Sequence, residues 1–179
     1  MGVPAFLGEI NMEQRFFYCP ICGGSLIKSF LNGRQRLVCS KCGRIHYENP
    51  IVGVAAIIRN SKGEILMAKR APGLAYAGFW CIPCGYVEYD EDILAAVARE
   101  AQEETGLFIK PLEVYAVHSN FHDAKQHTVG IWFKTKIIAG KIFPGDDACE
   151  LMWADINNPP LLAFKTDEYV LKQLITDEI

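Results

Sequence analysis

A chain of 179 residues, 50% of them hydrophobic and 22% charged, has room for one medium domain and a small module beside it, but not for a second full domain. Its net charge of −3 excludes a polyanion binder that works through the whole surface. The longest apolar runs, such as Val52 to Ile58, are strand-length and far short of a bilayer span, and the first 18 residues lack the apolar run of a secretory leader, so a soluble, cytoplasmic protein with no membrane partner is expected.

Residues 1–15 show little pattern and read as an N-terminal tail. Residues 16–49 form a unit of their own. Cys19-Pro-Ile-Cys22 and Cys39-Ser-Lys-Cys42 are two Cys-x-x-Cys pairs separated by 16 residues, with glycines behind them at 23, 24 and 43. Each pair sets two thiolates on a tight knuckle, and four thiolates at this spacing suit a tetrahedral Zn²⁺ at about 2.3 Å, a zinc ribbon. Iron takes the same ligands, whereas disulfides are a poor use of such close pairs in a cytosolic chain. Asn32-Gly33 reads as a hairpin turn inside the ribbon. Lys28, Arg34, Arg36, Lys41 and Arg44 stand against a single acid, Glu48. Such an excess serves contact with phosphates or nucleic acid, or is the surface of a stapled mini-domain that packs on the main fold or supports a dimer. The second reading is preferred, and nucleic acid is not an expected partner.

Asn49-Pro50 marks a junction, and residues 50–179 read as the main domain. Ile51 to Arg59 is a buried strand rich in Val and Ile, 60–63 a turn, and Glu64 to Lys69 a second strand that closes a hairpin with the first. Phe79 to Val87 is extended. Asp90 is placed to cap a helix that runs to about Thr105, with Asp92 in its first turn and Gly106 as its left-handed stop. Leu112 to Ser119 and Thr128 to Ile138 are two more strands, Asn-Asn-Pro-Pro at 157–160 breaks the chain, and Thr166 to Thr176 is a last helix. That order calls for an α/β fold, a mixed sheet with helices on both faces.

The first of these helices accepts a repulsion. Glu100 and Glu104 stand at i and i+4 with Glu103 one position off that stripe, and like charges so placed cost about 0.2–0.5 kcal/mol per pair. A hard divalent cation removes the cost, because Mg²⁺ takes oxygen ligands and sits between carboxylates and substrate phosphates. Arg99 lies beside these acids but about 100° around the helix. The whole stretch 85–107 fits Gly-x5-Glu-x7-Arg-Glu-(apolar)-x-Glu-Glu-x-Gly-(apolar), with fixed points Gly85, Glu91, Arg99, Glu100, Glu103, Glu104 and Gly106. Seven such positions, each met by chance roughly one time in fifteen, coincide about once in 10⁸ windows. The stretch resembles the box of the Nudix hydrolase family.

The resemblance implies an α/β/α sandwich over residues 50–179. It implies that Glu100, Glu103, Glu104 and the Gly85 carbonyl hold Mg²⁺ or Mn²⁺, and that Arg99 pairs with Glu91 to hold the loop against the helix. Cleaving a diphosphate requires neutralised non-bridging oxygens, a nucleophilic water and in-line geometry, and metal-bound water loses its proton near neutrality to a neighbouring carboxylate. Which glutamate is the base stays open. Family members also use an acid on a later loop, for which Asp146, Asp147 and Glu150 are candidates, a solvated turn after Pro144-Gly145 being the plain alternative. Asp90 and Cys84 depart from the small residues that many members carry there.

A ribbon, then Ile-His-Tyr-Glu-Asn-Pro at 45–50, then the box, with closing stretches at 150–153 and 160–164, is similar to a subgroup that acts on ADP-ribose or FAD. This implies release of AMP plus the second phosphate, and a homodimer. The alternatives are a Nudix-fold ligand sensor whose ribbon binds nucleic acid, and an RNA-cap or NADH pyrophosphatase. The chain lacks the Ser-Gln-Pro-Trp-Pro-Phe-Pro stretch of NADH-cleaving members. Tyr76, Phe79, Trp80, Phe121 and Trp132 could stack a base, though core positions are the commoner fate of such residues. His118, His122 and His127 could approach phosphates, with satisfied strand positions as the plainer reading. Cys81 and Cys84 read as buried structural thiols, and Cys149 carries no cue.

Overall fold

Asn32 and Gly33 are both left-handed, with φ of 51° and 78°, and the chain reverses there between Leu26–Leu31 (β1) and Arg34–Cys39 (β2), as their sequence predicts. The computed structural model describes residues 14–123 and 126–177, which divide into two compact units, residues 14–50 with 123, 126 and 127, and residues 51–122 with 128–177. In the first unit β1 and β2 pair from Leu26↔Cys39 to Leu31↔Arg34, and Ile45–His46 (β3) lies along the other side of β2. Cys19, Leu26, Leu37 and Cys39 form its small core. The expected tail of residues 1–15 falls almost wholly outside the described residues.

The second unit is built from Ile51–Ile57 (β4), Ile65–Arg70 (β5), Trp80–Cys81 (β6), Cys84–Tyr86 (β7), Ile93–Thr105 (α1), Leu107–Asp123 (β8), Gln126–Gly140 (β9), Ala148–Ala154 (β10) and Lys165–Asp177 (α2). One sheet has the order β7-β4-β9-β8 and is mixed, since β4 runs parallel to β9, from Ile51↔Thr128 to Ile57↔Lys134, and antiparallel to β7. The other has the order β10-β5-β6 and is antiparallel.

Period-two alternation explains the layering. Val54, Ala56 and Ile58 pack with Ala96, Val97 and Ala101 of α1, while Ala55 and Ile57 pack with Val170, Leu171 and Leu174 of α2. The following strand splits the same way, Leu66 toward α1 and Ile65 and Met67 toward α2. Strands buried on both faces read as continuous apolar runs, and each buried Val, Leu or Ile contributes about 1.5–3 kcal/mol. This is the α/β/α sandwich that the resemblance implies. No helix among the described residues is long and apolar enough to cross a membrane.

Several local expectations change. The turn at 60–63 forms, with the Asn60 side-chain oxygen accepting from Lys62 N and Glu64 N at 2.9 and 3.1 Å, but its strands do not continue as a hairpin. After Ile58 and Leu66 they part into different sheets, because β4 takes β9 as partner and β5 takes β10. Strand β10 itself is not anticipated: a register shift between Ala148 and Glu150 breaks the alternation that would reveal it. The cap of α1 is Asp92, whose Oδ1 accepts from Leu94 N at 2.8 Å, rather than Asp90. Glu91 is drawn to Arg99, so the chain turns helical only past it. Gly106 ends the helix as expected, with φ of 70° and its N–H donating to Gln102 O at 2.8 Å; a Cβ there would also press on the Lys141 carbonyl.

Candidate active site and cysteine cluster

Helix α1 and the strand end before it bring the box together. Glu104 is buried, at 2% exposure, and its carboxylate accepts from Cys84 N at 2.8 Å. Gly85 follows at once, and a Cβ on it would fall on the Glu100 carboxyl group, so glycine is what lets the backbone lie against that side chain. Arg99 donates twice to Glu91, at 2.9 and 2.8 Å, once to Glu100 at 2.7 Å, once to Glu103 at 2.9 Å and once to the Tyr86 carbonyl at 3.0 Å. Its pairing with Glu91 is as the resemblance implies. Its hold on Glu100 and Glu103 is not, since an angular offset on the helix ignores the reach of a long guanidinium side chain.

Burial dominates the electrostatics of the box acids. Burial pushes the Glu104 carboxyl up to about 8, against the Cys84 amide, and the charges of Glu100 and Asp147 act in the same direction. Burial also raises Glu100, with Glu103 and Asp146 adding to it against Arg99. Arg99 holds Glu91 below the usual carboxylate range. Carboxylates and a backbone carbonyl are the oxygen donors that a hard divalent cation takes, but the Glu100, Glu103 and Glu104 side chains do not converge on one point as the ribbon thiols do. Asp146 and Asp147 therefore lie within electrostatic reach of the box, whereas Glu150 is tied to Lys69 at 2.9 Å. Gly85→Ala is expected to lower kcat/KM about tenfold or more by displacing Glu100, with zinc content as the control that the ribbon is intact.

The four ribbon thiols meet the other expectation. One sulfur each from Cys19, Cys22, Cys39 and Cys42 lies within 4.8 Å of all the rest, with Cys22 to Cys39 at 3.4 Å and Cys19 to Cys42 at 3.9 Å. Among the described residues no other set of three such side chains converges as closely. The amides of Lys41 and Cys42 point at Cys39 Sγ, at 3.4 and 3.5 Å, and the Cys42 amide above all brings that thiol down to about 6. The Ile21 amide above all lowers Cys19 as well, whereas Cys22, despite the Gly24 amide, is pushed up to about 11 by the neighbouring Cys42 and Cys39 thiols; four sulfurs gathered in this way suit a tetrahedral thiophilic ion.

Other candidates divide. Trp80 and Trp132 are core residues. Tyr76 is 39% exposed and sets its edge on Phe79 and Phe164, with Arg70 over the Phe164 ring at 5.3 Å; Phe121 is exposed. His118 packs against Trp132 and Tyr169 with its Nε2 buried, His127 is half-buried on β9, and the His122 side chain lies outside the described residues. Cys81 is buried and turns toward the Ala68 carbonyl, Cys84 is half-buried with its thiol held well up by Cys81 and burial, and Cys149 is exposed. One residue escapes sequence reasoning. Asp167 of α2 is buried, and accepts from Ile82 N and from the Trp132 indole N–H, both at 3.0 Å.

A family model described as NUDIX domain matches residues 49–174. The chain belongs to the Nudix hydrolase family. As a Nudix hydrolase it is a pyrophosphatase, cleaving phosphoanhydride bonds. A second model, described as Nudix N-terminal and named for its zinc ribbon, matches residues 18–48 of this Nudix protein. It is 37% identical over 125 residues to an ADP-ribose pyrophosphatase of Methanocaldococcus jannaschii, covering 69% of the chain and 73% of the relative. It is 29% identical over 163 residues to an NAD-capped RNA hydrolase of Stutzerimonas stutzeri, covering 90% of the chain but 55% of that relative. Among solved structures, a NUDIX hydrolase from Nitrosomonas europaea superposes with a TM-score of 0.77 at 31% identity, over 90% of this chain and 92% of the other.

Proposed function

We propose that this Nudix pyrophosphatase hydrolyses a nucleoside diphosphate linked to a second moiety, ADP-ribose or FAD, to AMP plus the second phosphate. The observation that carries this reading is the box assembly: Glu104 buried behind Gly85, Glu100 against that glycine, and Glu103 at the exposed rim. Similarity to an ADP-ribose pyrophosphatase supports the substrate class. Glu100, Glu103, Glu104 and the Gly85 carbonyl would hold Mg²⁺ or Mn²⁺, which supplies charge neutralisation on the diphosphate and a more acidic water. Arg99, gripped by Glu91, keeps the loop at 86–91 on the helix and sets Glu100 and Glu103 in place. One of the box carboxylates, or Asp146 or Asp147, takes the proton of the attacking water.

Cys19, Cys22, Cys39 and Cys42 would hold one Zn²⁺ as a structural staple. The ribbon at 16–49, the hydrolase domain at 50–179, a homodimer and a cytoplasmic location complete the proposal. A second reading, hydrolysis of NAD-capped RNA, is favoured by the similarity that runs through ribbon and box together. The experiment is a substrate panel of ADP-ribose, FAD, NADH, dinucleoside polyphosphates and NAD-capped RNA with Mg²⁺ or Mn²⁺, read as AMP or phosphate release. ADP-ribose or FAD should lead; capped RNA ahead of both overturns the first reading in favour of the second, and no release from any member overturns both. Elemental analysis should find one zinc per chain. Stripping it should lower the melting temperature of the ribbon, because so small a core depends on the metal.

A further inference from the structure

The ribbon cations have a use that hydrolysis of a small molecule leaves unfilled. The first unit contains a cleft of about 290 Å³ lined by Arg15, Lys28, Gln35, Arg36 and His46, with Glu48 as its acid. Glu48 pairs with Arg15 across 3.5 Å at the surface. Lys28, Arg34, Arg36, Lys41 and Arg44 meet no carboxylate among the described residues. A zinc ion on four thiolates carries two negative charges, and the ribbon stays positive after that is counted.

Aromatic rings alternate with these cations. Phe16, 41% exposed, packs on His46 with ring centres 4.6 Å apart and carries the Arg15 guanidinium at 5.4 Å. Tyr47, 57% exposed, carries the Arg36 guanidinium at 5.3 Å. Phe30, 75% exposed, stands opposite Gln35 in the β1–β2 register. An acidic peptide would use the cations and leave the rings idle. A double helix offers phosphates but keeps its base faces stacked. A single strand presents one phosphate and one open base face per nucleotide, which is the pattern that cationic grooves interleaved with exposed rings accept.

We propose that the basic cleft of the zinc ribbon binds single-stranded nucleic acid, its phosphates at Arg15, Lys28 and Arg36 and a base on Tyr47. This reverses the expectation that nucleic acid is no partner. None of these residues belongs to the hydrolytic box, so failure of this proposal leaves the pyrophosphatase reading intact.

The test is fluorescence anisotropy of the zinc-loaded full chain with a short labelled single strand, as RNA and as DNA. Binding of either form is expected, weakening with salt at a log–log slope of about −2 for three phosphate contacts. Lys28→Glu with Arg36→Glu should weaken it at least tenfold, and Tyr47→Ala about tenfold. Zinc content and ADP-ribose hydrolysis should stay unchanged in these variants. Lys28→Gln, at an exposed position that leaves packing alone, should lower the salt slope by about 0.7. Absence of binding, affinity indifferent to charge reversal, equal affinity for a duplex of the same length, or displacement by inorganic phosphate at matched ionic strength would each overturn the proposal.

Discussion

Glu103→Gln and Glu104→Gln should each lower kcat by about 10³-fold or more, since charge stabilisation of several kcal/mol passes through these groups. The two substitutions test different things. Glu103 has a 44% exposed side chain, so its replacement disturbs no packing and gives up only the charge of its pair with Arg99 beside any role in the chemistry. Glu104 is buried, and its carboxyl already sits at about 8 without a cation. Glutamine has the shape of the protonated acid, and its carbonyl can go on accepting from Cys84 N. Glu104→Gln should therefore melt in chelator at or above the parent temperature, yet gain less than the parent when Mg²⁺ is added. Full activity in both variants would remove the site assignment, and loss of activity together with a collapsed fold in chelator would make Glu104 a structural residue only.

The box could be read from the chain because its chemistry lies in the side chains themselves, at spacings that a helix converts directly into neighbours. Gly106 announced the end of α1 for a similar local reason, as did Asn32-Gly33 for the ribbon turn. Pairing between strands was less legible. β4 and β5 are both buried on two faces, and an apolar run carries no mark of which partner it takes, so a local turn at 60–63 passed for a hairpin while β4 went to β9 across more than seventy residues. Arg99 was underread because spacing describes where a side chain starts, not how far its guanidinium travels. Asp167 was missed because an acid in the first turn of a helix is ordinary dipole chemistry from sequence, and only the fold brings the Trp132 indole and the Ile82 amide to it.

That buried acid gives the last expectation. Asp167 links α2 to β9 and to the segment three residues ahead of Gly85, and its surroundings push its carboxyl up to about 7, burial outweighing the Ile82 amide and the Trp132 indole. The unfolded chain releases that proton near pH 4, so between about pH 4 and pH 7 the folded state holds one proton more than the unfolded state. The contribution is present in full below pH 4 and lost as pH rises through 7, by about 4 kcal/mol for a shift of roughly three units. Asp167→Asn removes the titration but offers one carbonyl to two N–H donors, which costs about 1–3 kcal/mol at pH 5. The variant should be the less stable protein at pH 5 and close the gap, or overtake, by pH 8. Urea midpoints at both pH values, with saturating Mg²⁺ to keep Glu104 alike in the two proteins, measure it. An equal decline in parent and variant would mean that Asp167 is already ionised when folded, and that the indole and amide together outweigh its burial.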